Sequence, residues 1–457
     1  MLCSCASYNQ QSAAYYSHLQ NGNFEKASEA LSQNKLLKKS RNRLLYLMEK
    51  GKMEHLLGNY EKSNRYFNEA DHIMESNGNS AGDVVLGYLM NPMMETYQGE
   101  AFERYMLHYY KALNYLQLKQ PGEALVEARR ITISSNLQDD LAGKNKYGKD
   151  AFALMLQGLI YEANQELNNA FISYRNAAEI YLGNKEYFYG VKMPLQLKKD
   201  VIRLAYLNGF REEFEYYKQK FRLSFSEEEL SQGELIIFWE NGLAPVKEEY
   251  NLLFDVRKNQ AGDFRFVDRS GNIDIPFAAA ASYKESELLM LTALRIVLPR
   301  YRSQPLYYNK ASIIIGNNEY YPEVAQDVNE LAFSTLRERW LGEISKTLTR
   351  LAIKRLSEMA VTPKEKEDKD EKEKKDKEVQ AIFATGLKIF NLATEKADTR
   401  NWQSLPYSIS YTRIPLQKGK NTISLIVEGS NGHSKSSSIE VDNTGGLYFK
   451  NFCTLRR

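Results

Sequence analysis

Six ionisable side chains fall close together in one stretch of the chain: Glu100, Glu103, His108, Glu127, Arg129 and Arg130. Glu100 and Glu103 lie three residues apart, so a helix would put both on one side, and paired carboxylates are what glycosidases use for acid and base work. The same residues can instead form a Glu/Arg network that ties neighbouring helices together, since clustered ionisable groups serve structure as well as catalysis. Ordinary helices carry such pairs constantly, so the structural network is the expected role. The five histidines are scattered without His-x-x-x-His spacing, which argues against a zinc site. No Gly-x-Ser-x-Gly elbow, phosphate-binding loop or dinucleotide fingerprint appears. The chain is expected to be non-catalytic, with no metal and no cofactor.

A second chemistry lies at the start, where Leu2-Cys3-Ser4-Cys5-Ala6-Ser7 resembles the lipobox of bacterial lipoproteins. In that reading cleavage before Cys5 frees an amino group and a sulfur for acylation. A signal peptide needs a basic start and an apolar run before its cleavage site. Only four residues precede Cys5, so lipidation places the true start upstream. The alternatives are that Cys3 and Cys5 are incidental, or that they form half of a metal or redox site lacking its other ligands. Ala6 and Ser7 replace the aspartate that retains lipoproteins at the inner membrane, which points to the outer membrane. Cys453 is then a lone thiol, which argues against a disulfide framework.

The elements that must position these residues begin with a repeat. Gly22-Asn23-Phe24-Glu25-Lys26-Ala27 recurs as Gly58-Asn59-Tyr60-Glu61-Lys62-Ser63, each ahead of an amphipathic helix. The pattern resembles the turn and second helix of the tetratricopeptide repeat. Gly158, Tyr161, Ala170, Tyr174 and Ala177 match its small and large positions best, and weaker copies surround Pro121-Gly122 and Gly209-Phe210. The fold class expected is α+β, mainly α: residues 1–7 an anchor remnant, 8–225 a helical solenoid, 226–457 a mixed α+β region ending in antiparallel strands. Between about residues 75 and 98 a loop with a short helical turn is expected.

By register, the groove of such a solenoid is lined by Leu45, Met48, Lys52 and His55, then Met106, Tyr109 and Leu113, then Phe152, Met155, Leu159 and Glu162. Of these, Met48, Lys52, Met106, Tyr109, Phe152 and Met155 are the expected partner-binding set. Clamping a peptide carboxylate needs several cationic or amide side chains, and Lys52 alone is insufficient. So apolar a groove must be filled by the protein's own C-terminal half or by a hydrophobic partner segment. The long helix through Trp340 and Leu348 is the expected occupant.

Beyond residue 225, strands are expected at residues 235–239, 264–267, 312–315, 407–414, 422–428 and 437–441, and helices at 324–359 and 379–394. Residues 364–378 are an unbroken charged run that cannot bury a core and reads as a disordered, solvated insertion. The 61 basic and 58 acidic residues nearly balance, so nucleic acid is not an expected partner. The loop carrying Asp398 and Trp402 reads as a domain corner.

Residues 97–103, 108–115 and 124–130, together with 240–249 and 397–406, look like the signature motifs of a family of tetratricopeptide-repeat-containing bacterial envelope lipoproteins. The resemblance spans most of the chain, which departs from the family in its charged insertion. It implies a periplasm-facing lipoprotein with no established reaction, and some members appear beside lipoproteins thought to regulate peptidoglycan synthases. The expected function is therefore a non-catalytic outer-membrane scaffold for envelope protein partners, held by its lipid anchor. The alternatives are a regulator of a peptidoglycan synthase or other envelope machine, and a glycan-acting enzyme. Replacing residues 364–378 by a short Gly/Ser linker should leave the melting temperature nearly unchanged, because a solvated charge run buries almost no apolar surface. A fall of many degrees on thermal denaturation would show the run to be packed.

Overall fold

In a computed structural model, residues 8–76, 93, 95–142, 150–227, 230–231, 233–291, 293–361 and 396–456 are described. Cys5, the charged insertion and the helix expected at 379–394 lie outside these residues, as does most of the loop expected between 75 and 98. Among the described residues, the first half of the chain is a run of helical hairpins: α1 (Tyr8–Gln20) with α2 (Phe24–Gln33), α3 (Arg43–Leu56) with α4 (Tyr60–Ser76), α5 (Ala101–Gln117) with α6 (Pro121–Ala142), α7 (Ala151–Ala163) with α8 (Leu167–Gly183), and α9 (Leu195–Leu207) with α10 (Arg211–Phe221). Consecutive helices pack on one another along the whole run.

All five hairpins turn by the same device. One residue adopts a left-handed conformation, at Gly22 (φ 69°), Gly58 (77°), Lys119 (58°), Gln165 (60°) and Gly209 (72°). The next amide then donates back across the turn: Asn23 to the His18 carbonyl, Asn59 to Glu54, Gln120 to Tyr115, Glu166 to Tyr161 and Phe210 to Ala205, at 2.8–3.0 Å. These bonds satisfy carbonyls that the helix end would leave open. Glycine takes the left-handed conformation at no steric cost, so the three glycine turns are visible in the sequence, while Lys119 and Gln165 disguise the other two.

Close approach within a hairpin also needs a missing side chain. A Cβ on Gly51 would lie 2.5 Å from the Phe67 ring, and one on Gly158 would lie 2.6 Å from the Tyr174 ring. The glycine and the aromatic are equally spaced in the two hairpins.

Between α8 and α9, β1 (Tyr187–Phe188) pairs with β2 (Val191–Lys192), and the second half supplies three four-stranded sheets. The first, in the order β10 (Glu323–Asp327), β11 (Ser408–Pro415), β3 (Gly233–Asn241), β14 (Gly446–Thr454), is antiparallel except where β14 runs parallel to β3. The second, β13 (Ser434–Asn443), β12 (Gly419–Gly429), β8 (Tyr308–Ile315), β9 (Asn318–Tyr320), packs on its outer face through Leu235, Ile237, Ile414, Ile313, Ile423 and Leu425. The inner face of the first sheet sets Ile236, Phe238, Ile409, Tyr411 and Phe449 into the helical core. Because β3 is covered on both faces, it reads as an unbroken apolar run. One core therefore holds residues from both halves of the chain.

The third sheet, β6 (Asp274–Pro276), β5 (Phe264–Asp268), β4 (Val246–Lys258), β7 (Leu294–Arg302), with the short helix α11 (Glu285–Leu288) between β6 and β7, leans on the long helix α12 (Val328–Val361). Val328, Leu331 and Leu336 of that helix join the main core, whereas Ile344, Leu348, Ala352 and Leu356 pack on Phe254, Phe266 and Ile296 of the third sheet. The helix starts later than residue 324 because the chain before it stays extended: Glu323–Asp327 pairs with β11, and Asp327 Oδ1 then accepts the Glu330 amide at 2.9 Å. No helix among the described residues is long and apolar enough to cross a membrane.

Gly158→Ala should destabilise the protein. Overpacking costs about 1–3 kcal/mol, and the Tyr174 ring cannot yield freely because its hydroxyl donates to Glu162 at 2.6 Å. Gly122→Ala, where a Cβ meets nothing within 4 Å, should gain up to about 1 kcal/mol from helix propensity. Urea midpoints of the two variants should move in opposite directions.

Candidate functional site

The expected groove lining is buried: Met48 and Met106 are in the core with Tyr109, Phe152 and Met155, and Lys52 is 1% exposed. The occupant is not the long helix, whose Leu348 belongs to the third sheet. It is the inner face of the first sheet. Phe238 of β3 meets Tyr109 and Phe152 edge to face, with ring centroids 6.3 and 6.5 Å apart. Trp402, on the segment before β11, packs against both Phe67 and Tyr110, with ring centroids 5.9 and 6.0 Å away. A strand fits where the helix does not, because a trough walled by aromatic side chains accepts one pleated face, with Phe238 and Glu240 both directed into it.

The strand also brings a charge. Glu240 is fully buried, and Lys52 donates to its Oε2 at 2.5 Å. The Tyr110 hydroxyl donates to the same oxygen at 3.0 Å, the Tyr109 hydroxyl contacts Oε1 at 3.4 Å, and the Lys52 ammonium lies 3.9 Å from the Tyr110 ring centroid. Beside this pair, burial lowers His55 to about 4 and keeps it neutral. Its Nδ1 therefore donates to Asn114 Oδ1 at 2.6 Å, while its Nε2 accepts from Asn451 of β14 at 2.7 Å. Asn114 continues the chain to Ser63 and Asn64 of α4. Burial pushes the neighbouring Cys453 thiol up to about 12, far from the thiolate that reactivity requires.

The six-residue constellation separates into two clusters and an outlier. Glu100 and Glu103 stand at the start of α5, where Glu103 Oε2 accepts the Glu100 amide at 2.8 Å, half of a capping box. Glu103 also accepts from the Tyr97 hydroxyl at 2.5 Å and the Trp402 amide at 2.7 Å. Glu100 is held by Lys247 and by Arg339 at 2.7 Å. Burial raises Glu103, while at Glu100 the two cations overcome burial and hold it at about 2. Such a split is what an acid/base pair needs, but Glu103 has no exposed surface and Glu100 is 6% exposed. Their spacing thus serves the helix start and a domain contact.

His108 lies elsewhere, with its Nδ1 2.8 Å from Glu127 and its Nε2 3.8 Å from Asp71. Asp71, His108 and Glu127 place ligand atoms within 4.8 Å of one another, close enough for a metal ion. The donor set does not suit one. Lys111 Nζ already sits 2.8 Å from Asp71 and 2.9 Å from Glu127, and Arg130 lies 2.6 Å from Asp71. The carboxylates are thus matched by the protein's own cations. Arg129 belongs to neither cluster and donates to the Tyr161 hydroxyl at 3.2 Å.

Of a third network the sequence reading places only Glu162, as a groove-lining residue. Arg413 of β11 donates to Glu162 at 2.6 Å and Glu234 at 2.5 Å, and its Nε lies 3.0 Å from Asp200. Arg203 donates to Glu162 at 2.7 Å and Asp200 at 3.2 Å. Burial works against ionising Glu162, yet the two guanidiniums hold it at about 2. These partners are hundreds of residues apart in places, and no local spacing announces them.

No protein-family model matches this chain, and no curated protein matches it. Among solved structures, it is similar to BtubC (BKLC) from P. vanneervenii, 15% identical, with a TM-score of 0.34 over 47% of this chain and 78% of that one. It is also similar to nearly identical TPR-like repeats from Podosopora anserina, 15% identical, with a TM-score of 0.32 over 46% and 91%. The apo form of RapI is 12% identical, with a TM-score of 0.35 over 47% and 52%.

Removing Glu240 should be far worse than removing the pair. Glu240→Ala leaves a buried ammonium unpaired and should cost about 3–5 kcal/mol. Lys52→Met with Glu240→Gln removes both charges and keeps an acceptor for the two tyrosines, so most of that loss should be recovered in urea denaturation of the double variant.

Proposed function

We propose that this protein is a non-catalytic scaffold of the bacterial envelope, held at the outer membrane by lipid on Cys5, and that it meets its protein partners on its outer surface. The observation that carries the reading is the filled groove: the chain's own strand, with Glu240 on Lys52, takes the place a partner segment would occupy. What remains for partners is the rim, the outer helix faces and the exposed sheet edges. Support for the address is the lipobox-like Leu2 to Cys5. Support for a non-catalytic role is that the Glu100 and Glu103 carboxylates are committed to the fold. A glycan-acting enzyme would need that pair open to substrate.

Two measurements test this. The product of the full gene should fractionate with outer membranes and yield crosslinked protein partners from intact envelopes, and Cys5→Ala should release it to the soluble fraction and reduce the crosslinks. Unchanged membrane retention of Cys5→Ala would remove the anchor from the proposal. Hydrolysis of cell-wall polymer by purified protein, abolished by Glu100→Gln, would replace the scaffold with an enzyme.

A further inference from the structure

Glu49 of α3 differs from the buried acids that join the two halves. Glu240, Glu100 and Glu162 each face a lysine or an arginine. Glu49 has no exposed surface and is held by uncharged donors. The Tyr15 hydroxyl donates to its Oε2 at 2.5 Å, the Tyr16 hydroxyl to its Oε1 at 2.8 Å, and Ser404 bonds to it through both hydroxyl and amide.

These donors belong to two elements that the carboxylate joins: Tyr15 and Tyr16 to α1, and Ser404 to the corner segment ahead of β11. The two elements meet again where Gln403 donates to Asn9 Oδ1 at 2.8 Å, and where the Tyr8 hydroxyl, 2.8 Å from that of Tyr16, reaches the Asn401 carbonyl at 3.5 Å. Trp402 braces Ser404 through its Nε1 at 2.9 Å. Glu49 thus sits in the middle of a clasp.

The charges around the clasp are committed elsewhere. From α5, Glu103 accepts the Trp402 amide and is a second buried acid acting on Tyr8. In the corner segment, the Arg400 guanidinium is taken by Asp398 and Asn42 at 2.6 Å each and by the Glu95 carbonyl at 3.0 Å. From α4, Lys62 pairs with Glu54 and Asp71 with Lys111. On α3 itself, Lys50 donates to Ser28 and Ser32 of α2, and Lys52 to Glu240. Burial raises Tyr8, Tyr15 and Tyr16 well above their usual range, so all three stay neutral.

A buried carboxylate without a countercharge is costly to ionise. We propose that the clasp is proton-sensitive: it is closed while Glu49 carries a proton and loosens when Glu49 ionises, so that α1 comes away from α3 and the corner segment as the pH rises. Burial pushes Glu49 from 4.5 up to about 7, against the pull of its hydrogen bonds. With α1 away, water reaches the carboxylate and it ionises as an exposed glutamate does. Between about 4.5 and 7 only the closed clasp keeps the proton, so closure weakens by up to about tenfold for each unit of rising pH. Above that range both states are ionised and the loss stops.

Hydrogen exchange of the intact protein between pH 5 and 8, read by mass spectrometry on α1 peptides and corrected for the intrinsic exchange rate, measures the closure. Protection of α1 should fall by at least about tenfold across that range, and protection of α8 should not follow it. Glu49→Gln keeps the shape of the neutral acid, so it should hold α1 protected throughout and exceed the parent at pH 8. Tyr16→Phe takes one donor from the carboxylate and should extend the fall to higher pH. A parent protein with no fall, the same fall in Glu49→Gln, or an unmoved fall in Tyr16→Phe overturns the proposal. A fall of equal size in α8 makes the loss global and overturns the clasp as a local device.

Discussion

A carboxylate with no contact to water must be neutralised where it stands, and for Glu240 the neutralising group is Lys52, from the opposite half of the chain. Most of the architecture follows from that meeting. The strand that carries Glu240 has to lie across α3 and α5, so the helices curve around a sheet instead of around a guest. Tyr109 and Tyr110 turn their hydroxyls inward to the same carboxylate. Such a pair contributes little net stability over an apolar equivalent. Its larger effect is on register: a slip of one residue would turn Glu240 away from Lys52 and swing Ile236 and Phe238 to the other face of the sheet.

The two other buried networks repeat the principle at the ends of the interface. Glu100 joins α5 to Lys247 of β4 and Arg339 of α12, and Glu162 joins α7 to Arg413 of β11. In both, an acid of the helical hairpins meets a base of the sheets or the long helix, the reverse of Lys52 and Glu240. The polar bonds between the halves are therefore specific as well as numerous, and the apolar contact between them is set in a fixed orientation.

The sequence carried local features well and pairings poorly. Turn glycines, helix periodicity and the apolar run of β3 are legible because each is fixed by neighbours in the chain. So is the burial of the groove lining, since side chains such as Met106 and Phe152 cannot stay wet. What filled the groove was not legible: the apolar stripe of α12 has the right period, but periodicity does not say which surface will meet it. β4 escaped notice because Lys247-Glu248-Glu249 interrupts its alternation; Glu248 is matched across the sheet by Arg300 and Arg302, and Lys247 by Glu100 at the start of α5. Asp71, Lys111 and Arg413 could not be found at all. Their roles depend on partners in other elements, 188 residues away in the case of Lys52 and Glu240.

The parallel pairing of β14 with β3 bears on how the molecule is made. β3 is synthesised in mid-chain, but its ladder neighbours, β11 and β14, belong to the far C-terminal end. Until those strands leave the ribosome, β3 has no edge to bind, and the aromatic trough of the hairpins stays uncovered. Contacts this distant in sequence form late and slowly. The growing polypeptide thus exposes this apolar surface until β11 and β14 have been made.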